Sequence, residues 1–205
     1  PELSNREFKT SKKVENHLRS LGLEVRTGIA HTGVVAILKG GKPGPMVALR
    51  ADMDGLPVTE MTGLSFASKE TNTYNGQDVG VMHACGHDAH VAILMGVAEF
   101  LTSVRDELSG SVMFIFQPAE EGGGGAREMC EDDMMARWNI QEVYGMHNWP
   151  GEPAGNFYIR PGPFFAATDQ FDITVEGCGG HAAKPQQTVD PTVAASQMVL
   201  SLQSV

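Results

Sequence analysis

Met46-Val47-Ala48-Leu49-Arg50-Ala51-Asp52-Met53-Asp54 decides the fold: a β-rich apolar run that breaks, at its carboxyl end, into charged residues. Upstream, Gly33-Val34-Val35-Ala36-Ile37-Leu38 reads as a second such run, separated by the turn chemistry of Gly40-Gly41-Lys42-Pro43-Gly44. The pair is expected as a hairpin or as adjacent strands. Further upstream, Ser4-Asn5-Arg6-Glu7 has capping-box spacing, Phe8, Val14, Leu18 and Leu21 share one helical face, and Gly22 supplies a stop, so a helix is expected there. Downstream, Ala89 to Leu101 carries helix formers and apolar character nearly all round, the pattern of a buried helix starting close to Gly86 and His87. Val112 to Phe116 and Val143 to Met146 are short enough for buried strands.

Strands alternating with helices predict an α/β fold, a mixed and largely parallel sheet flanked by helices. Arg160-Pro161-Gly162-Pro163 marks the expected domain boundary, giving a metal-binding portion over 1–165 and a second, small α+β domain opening at 166–205. In the latter, Phe171, Ile173 and Val175 alternate with polar residues as in a strand, and Asp190-Pro191 starts a helix with a capping residue and a first-turn proline.

Composition narrows the function classes. The 205 residues are 41% hydrophobic and 20% charged, ordinary for a globular protein with one sizeable core. A net charge of −10 offers no basic surface for counterion release, which disfavours a nucleic-acid partner. Three cysteines, Cys85, Cys130 and Cys178, are too few and odd in number for a disulfide framework, so a reducing, cytoplasmic setting is expected. No apolar run approaches the roughly 20 residues of a membrane span, and no signal-peptide layout is present, so no membrane association is expected. The chain starts at Pro1 without methionine and stops at Ser204-Val205 inside an apolar-periodic stretch, and is expected to be a fragment of a longer protein.

Chemistry-bearing residues cluster where expected strands end: Asp52 and Asp54, then Glu120 and Glu121, then His147. The carboxyl ends of strands in open α/β sheets form the ligand crevice, so these groups converge although distant in sequence. Cys85 and His87 stand two apart across a glycine just before a helix start, which favours the metal-binding thiolate. Each piece alone has a plainer reading: Cys85 as a packed thiol, the glutamates as a solvated pair, Asp52 and Asp54 as turn formers, His147 as a satisfied core histidine. Their coincidence at strand ends favours a metal site. Thiolate, imidazole and carboxylate together suit zinc, manganese or cobalt better than calcium or magnesium. One of two neighbouring glutamates can coordinate while the other serves as base, and Asp54 can orient a ligating imidazole. Gly122 to Gly125 lacks the Gly-Lys-Ser/Thr of a phosphate loop.

The chain resembles the dimetal amidohydrolases that include hippurate hydrolases, N-acyl-amino-acid hydrolases and indole-acetyl-amino-acid hydrolases. The resemblance lies in residues 1–4, 48–57 (ALRADMDGLP), 82–90 (MHACGHDAH), 116–122 (FQPAEEG), 145–148 (GMHN) and 179–185 (GGHAAKP), and extends over essentially the whole chain. It implies a zinc-exopeptidase-like catalytic domain followed by a lid, and hydrolysis of N-acyl or N-aroyl amino acids with two divalent ions (Mn, Zn, Co or Ni). Cys85, His87, Glu121 and His147 would be the metal ligands and Glu120 the general base. His181 of the lid would help polarise the substrate carbonyl, often across a homodimer; without the resemblance it reads as a loop residue. Gln186 stands where the family usually has a histidine. The family's further ligand, a histidine from the catalytic segment after the lid, is not among these residues, and a site lacking it is expected to bind metal weakly. Two other readings stay open: a metal-binding module without catalysis, and a hydrolase using Cys85 as nucleophile with His87 or His147.

Overall fold

The computed structural model describes residues 1–131 and 134–204. Backbone packing divides the chain into two units, Pro1–Glu152 and Pro153–Val205; the Arg160-Pro163 turn lies within the second.

The first unit is a five-stranded sheet clad by helices. Helix α1 (Phe8–Ser20) leads into β1 (Glu24–Ile29), β2 (Gly33–Lys39) and β3 (Lys42–Asp52). A small hairpin, β4 (Thr71–Tyr74) and β5 (Gln77–Gly80), precedes α2 (His87–Ser103), β6 (Ser109–Gln117), α3 (Gly125–Glu131), α4 (Met134–Arg137) and β7 (Ile140–Gly145). The sheet order is β1-β2-β6-β3-β7. β6, β3 and β7 run parallel, whereas β1 and β2 join antiparallel at the other side. The sheet is therefore mixed, with a parallel half, as its sequence pattern predicts. β2 and β3 are neither a hairpin nor neighbours, however: β6 inserts between them. Periodicity identifies a strand but does not say which partner it takes, and β6 offers apolar residues to both sides of the sheet.

That two-sidedness explains the continuous apolar runs. Val34, Ala36, Leu38, Phe114 and Phe116 face one core layer with Val14 and Leu18 of α1 and Val91, Leu94 and Ala98 of α2. The alternate residues, Val35, Ala48, Met113 and Ile115, face a second layer with Met129 and Met134. Both faces are covered, so a period-two pattern of polarity has no place in β2 or β6.

Helix α1 forms where expected, but its start is built differently. Its first free amides, those of Lys9 and Thr10, donate to the Glu2 carboxylate at 3.0 and 2.8 Å. Ser4 and Glu7, the expected capping box, make no side-chain cap and are drawn to distant partners instead. The end is a Schellman turn: Gly22, at φ +74°, donates to Arg19, and Leu23 donates to Leu18 while packing in the same core layer. Phe8 is exposed rather than on the buried face. α2 is likewise buried on one side only, through His87, His90, Val91, Leu94 and Ala98, while Ile93 and Phe100 face solvent.

In the second unit, α5 (Pro191–Leu202) begins as expected, with the Asp190 carboxylate accepting from the Thr192 amide at 2.9 Å and proline in the first turn. Residues 171–175 form no strand: among the described residues no neighbouring strand pairs with them, and Phe171 and Ile173 remain exposed. An extended segment without a bonded neighbour gains too little to be a strand. Among the described residues no helix is long and apolar enough to cross a membrane.

Candidate metal centre

The parallel register sets Asp52 of β3 against Gln117 of β6, and Arg50 against Gly145 of β7. Three carboxyl ends thus share one rim, where α2 also begins. Gly86, just before α2, has φ +84°, and a Cβ there would come within 2.4 Å of the Asn148 side chain. Only glycine lets α2 start so close to the segment that follows β7.

The expected ligands meet. Ligand atoms of Cys85, His87 and His147 lie within 4.8 Å of one another, as do those of His87, Glu120 and Glu121. Cys85 Sγ is 3.2 Å from His147 Nε2. His87 Nε2 is 3.7 Å from Glu121 and 3.9 Å from Glu120. His87 is fully buried, whereas the Glu121 and Glu120 side chains are 20% and 40% exposed, so Glu120 is the more open of the two carboxylates.

Backbone carbonyls fix the tautomers, since a carbonyl can only accept. His87 Nδ1 donates to the Asp54 carbonyl at 2.9 Å, with Asp54 Oδ1 at 3.3 Å, and His147 Nδ1 donates to the Asn148 carbonyl at 2.6 Å. In the neutral form of each ring the lone pair then lies on Nε2, the nitrogen left to bind metal. His90 is the instructive contrast. Its Nδ1 meets Asp52 Oδ1 at 2.6 Å and its Nε2 accepts the Asn148 amide at 3.0 Å. Although Asp52, His87 and His90 are close enough to hold an ion, both His90 nitrogens are committed, which leaves it a structural role.

Electrostatics point the same way. Asp52, Asp54, Glu120 and Glu121 crowd one pocket in which Arg50, 2.7 Å from Asp52, supplies a fixed positive charge. Burial opposes ionisation of Asp52, yet the His90 hydrogen bond and Arg50 hold it down at about 2. Asp54 is also lowered against its burial, by His87, Ser4 and the amides of Glu121 and Glu120. His87 is raised despite burial, through Asp54 and Asp52. Glu121 is raised by burial and then by the charge of Glu120. Burial, followed by the charge of Glu121, pushes the Cys85 thiol up to about 11. The expectation that the helix start favours a thiolate is thus corrected: burial and the carboxylates of Glu121, Glu120 and Asp52 outweigh a helix terminus, and only a cation reverses the balance.

A divalent cation fits these residues. His87 Nε2 and Glu121 Oε1 are buried side-chain atoms without a hydrogen-bond partner, and they stand 3.7 Å apart. Orphaned buried polar atoms are costly, and a shared cation satisfies both. Sequence patterns alone assign no role in this pocket to Ser4, Glu7, Arg50, Gln117, His90 or Asn148. His90 was within reach, because it lies three residues after His87 and so on the same face of α2. His181 belongs to the second unit, where its Nδ1 accepts the Ala183 amide at 3.1 Å.

The profile of peptidase family M20/M25/M40 matches residues 48–203. The chain belongs to this family. Among relatives, it is 42% identical to N-acetyl-L-cysteine deacetylase of Bacillus subtilis, over 100% of this chain and 47% of the relative. It is 42% identical to hippurate hydrolase of Campylobacter jejuni, over 100% of this chain and 51% of the relative. A solved dinuclear metal-binding M20 peptidase from Bacillus subtilis superposes with a TM-score of 0.68 at 44% identity, covering 76% of this chain and 41% of that one. The chain thus spans about half the length of the curated relatives it matches. The M20/M25/M40 profile runs from β3 to the end of α5, taking in every residue of the pocket from Ala48 onward.

Proposed function

We propose that this chain supplies the metal-binding and proton-transfer groups of an amidohydrolase that cleaves N-acyl or N-aroyl amino acids. The observation that carries the proposal is the orphaned pair His87 Nε2 and Glu121 Oε1, buried beside Cys85 and His147. In this reading Cys85, His87, Glu121 and His147 hold two divalent ions of the Mn, Zn, Co or Ni type. When bound, the ions lower the pKa of water and polarise the amide carbonyl. Glu120, close to His87 but more open to solvent, takes a proton as the water oxygen bonds to the carbonyl carbon. It returns that proton to the amine nitrogen as the C–N bond breaks. Asp54 holds His87 through Nδ1 and fixes the backbone of both glutamates.

The named activities of the deacetylase and hippurate hydrolase relatives support the choice of substrate class. The remaining assignments are His181 as a carbonyl-polarising group of a lid opening at 166–205, pairing in a homodimer through that lid, and a cytoplasmic setting. The test is hydrolysis of N-acetylcysteine and hippurate by the purified protein. Glu120→Gln is expected to lower kcat by about 10²–10⁴-fold while metal content stays unchanged. Stoichiometric metal uptake with no turnover would instead favour a binding module.

The Cys85–His147 contact gives a second reading, a thiol nucleophile with an imidazole base. It would be supported by an activity that survives thorough chelation and disappears on thiol alkylation. A thiol held up at about 11 stands against it.

A further inference from the structure

Glu7 is fully buried at the entry to α1, and none of the roles above uses it. Its Oε1 accepts the Ala119 amide at 2.9 Å and the Asn5 amide at 3.1 Å, while Oε2 accepts the Thr32 hydroxyl at 2.5 Å. Ala119 is itself buried and sits at φ +51°, a left-handed conformation that side chains disfavour. The next two amides go to the other buried carboxylate: Glu120 donates to Asp54 Oδ1 at 3.1 Å and Glu121 to Asp54 Oδ2 at 3.0 Å. Three successive amides are thus received by two carboxylates, and Ser4 anchors the second of these at 2.6 Å. On the far side the turn is closed by the Gly125 amide, which donates to the Ala119 carbonyl at 3.2 Å.

We propose that Glu7 is a positioning residue for Glu120 and Glu121: by receiving the Ala119 amide it holds the left-handed turn from which both glutamates reach His87. A carboxylate from the N-terminal segment so governs a pair more than a hundred positions away. Its effect on metal and turnover rests on the amidohydrolase reading, but the clasp itself does not.

Three variants of the purified protein separate the outcomes. Glu7→Gln keeps an oxygen acceptor for Ala119, Glu7→Ala removes it, and Glu7→Asp is one methylene too short to reach. Amide hydrogen exchange is read at residues 119–121, with α2 as internal control, alongside Co²⁺ titration and steady-state kinetics. Glu7→Ala is expected to exchange at least about tenfold faster at 119–121 with α2 unchanged, to bind Co²⁺ roughly 10–100-fold more weakly, and to lose kcat with little change in KM. Glu7→Gln should stay within about threefold of the parent in all three. Should Glu7→Ala fail to fold, Glu7→Asp is judged by the same readouts. Unchanged exchange at 119–121 in the folded Ala or Asp variant overturns the proposal, as does a Gln variant no better than Ala. A parent protein that takes up no Co²⁺ defeats the amidohydrolase reading, and exchange at 119–121 still decides the role of Glu7.

Discussion

Asp52 links the metal pocket to the stability of the whole first unit. It is fully buried, and it joins Arg50 of its own strand to His90 of α2, while Arg50 Nε donates to Gln117 of β6 at 2.8 Å. Replacing it by Asn leaves Arg50 without its charge partner and should cost about 3 kcal/mol, read as a lower urea midpoint at unchanged slope. Its folded pKa of about 2 lies below the ordinary 3.8, so the unfolded chain takes up the proton first as acid is added. The stabilisation is therefore complete above about pH 4 and disappears as pH falls through about 2, an effect on the order of 2 kcal/mol. Urea titrations at pH 6 and pH 3 would show the difference, and Asp52→Asn should flatten it. This network was not legible in the sequence. Asp52 and His90 are visible as polar residues of suitable type, but nothing local says that they touch each other rather than a ligand.

Helix α1 shows the division between what local pattern determines and what tertiary contact overrides. Val14 and Leu18 are fully buried, and Phe8, expected on the same helical face, is 65% exposed. Leu18→Ala should cost about 2–5 kcal/mol and Phe8→Ala no more than about 0.5 kcal/mol, measured as shifts in thermal midpoint. The existence of α1, α2, β2, β3, β6 and β7 follows from periodicity and from the turn residues around them. So does the Asp190 cap of α5. Three things do not follow. β1 has a mixed burial pattern that hides its strand character, and the insertion of β6 between β2 and β3 is decided by packing of whole layers. The third is the fate of Ser4 and Glu7, whose capping spacing is genuine but whose partners lie 50 and 112 positions away. The small hairpin β4–β5 is absent from the sequence expectations, although its Asn75-Gly76 dipeptide is a hairpin signal, and in the structure the two residues take the φ values of +51° and +78° that such a turn prefers.

The first unit as a whole carries an electrostatic tension. Four carboxylates gather at one rim of a chain whose net charge is −10. A divalent ion binding there stabilises only the folded form, so its contribution grows with concentration. At about 100 times the dissociation constant, Mn²⁺, Zn²⁺ or Co²⁺ should raise the thermal midpoint by roughly 5–10 °C, and a chelator should reverse the gain. A shift in Glu120→Gln equal to the parent's, with loss of the shift in His87→Ala, would separate the base from a ligand. The convergence of Cys85, His87, Glu121 and His147 was legible because strand ends collect at one rim in this architecture. The tautomers, the clasp on Ala119 and the exclusion of His90 needed coordinates, since each depends on an angle or a contact that spacing does not encode.

The strand order also dictates a sequence of events during synthesis. β2 and β3 leave the ribosome early but cannot knit together, because the strand that belongs between them ends only at Gln117. Until then β2 has only β1 as a ladder partner and β3 has none, since its other neighbour, β7, lies later still. The residues that follow directly are Pro118, Ala119, Glu120 and Glu121. The strand that joins β2 to β3 therefore brings the two glutamates to the rim in the same movement.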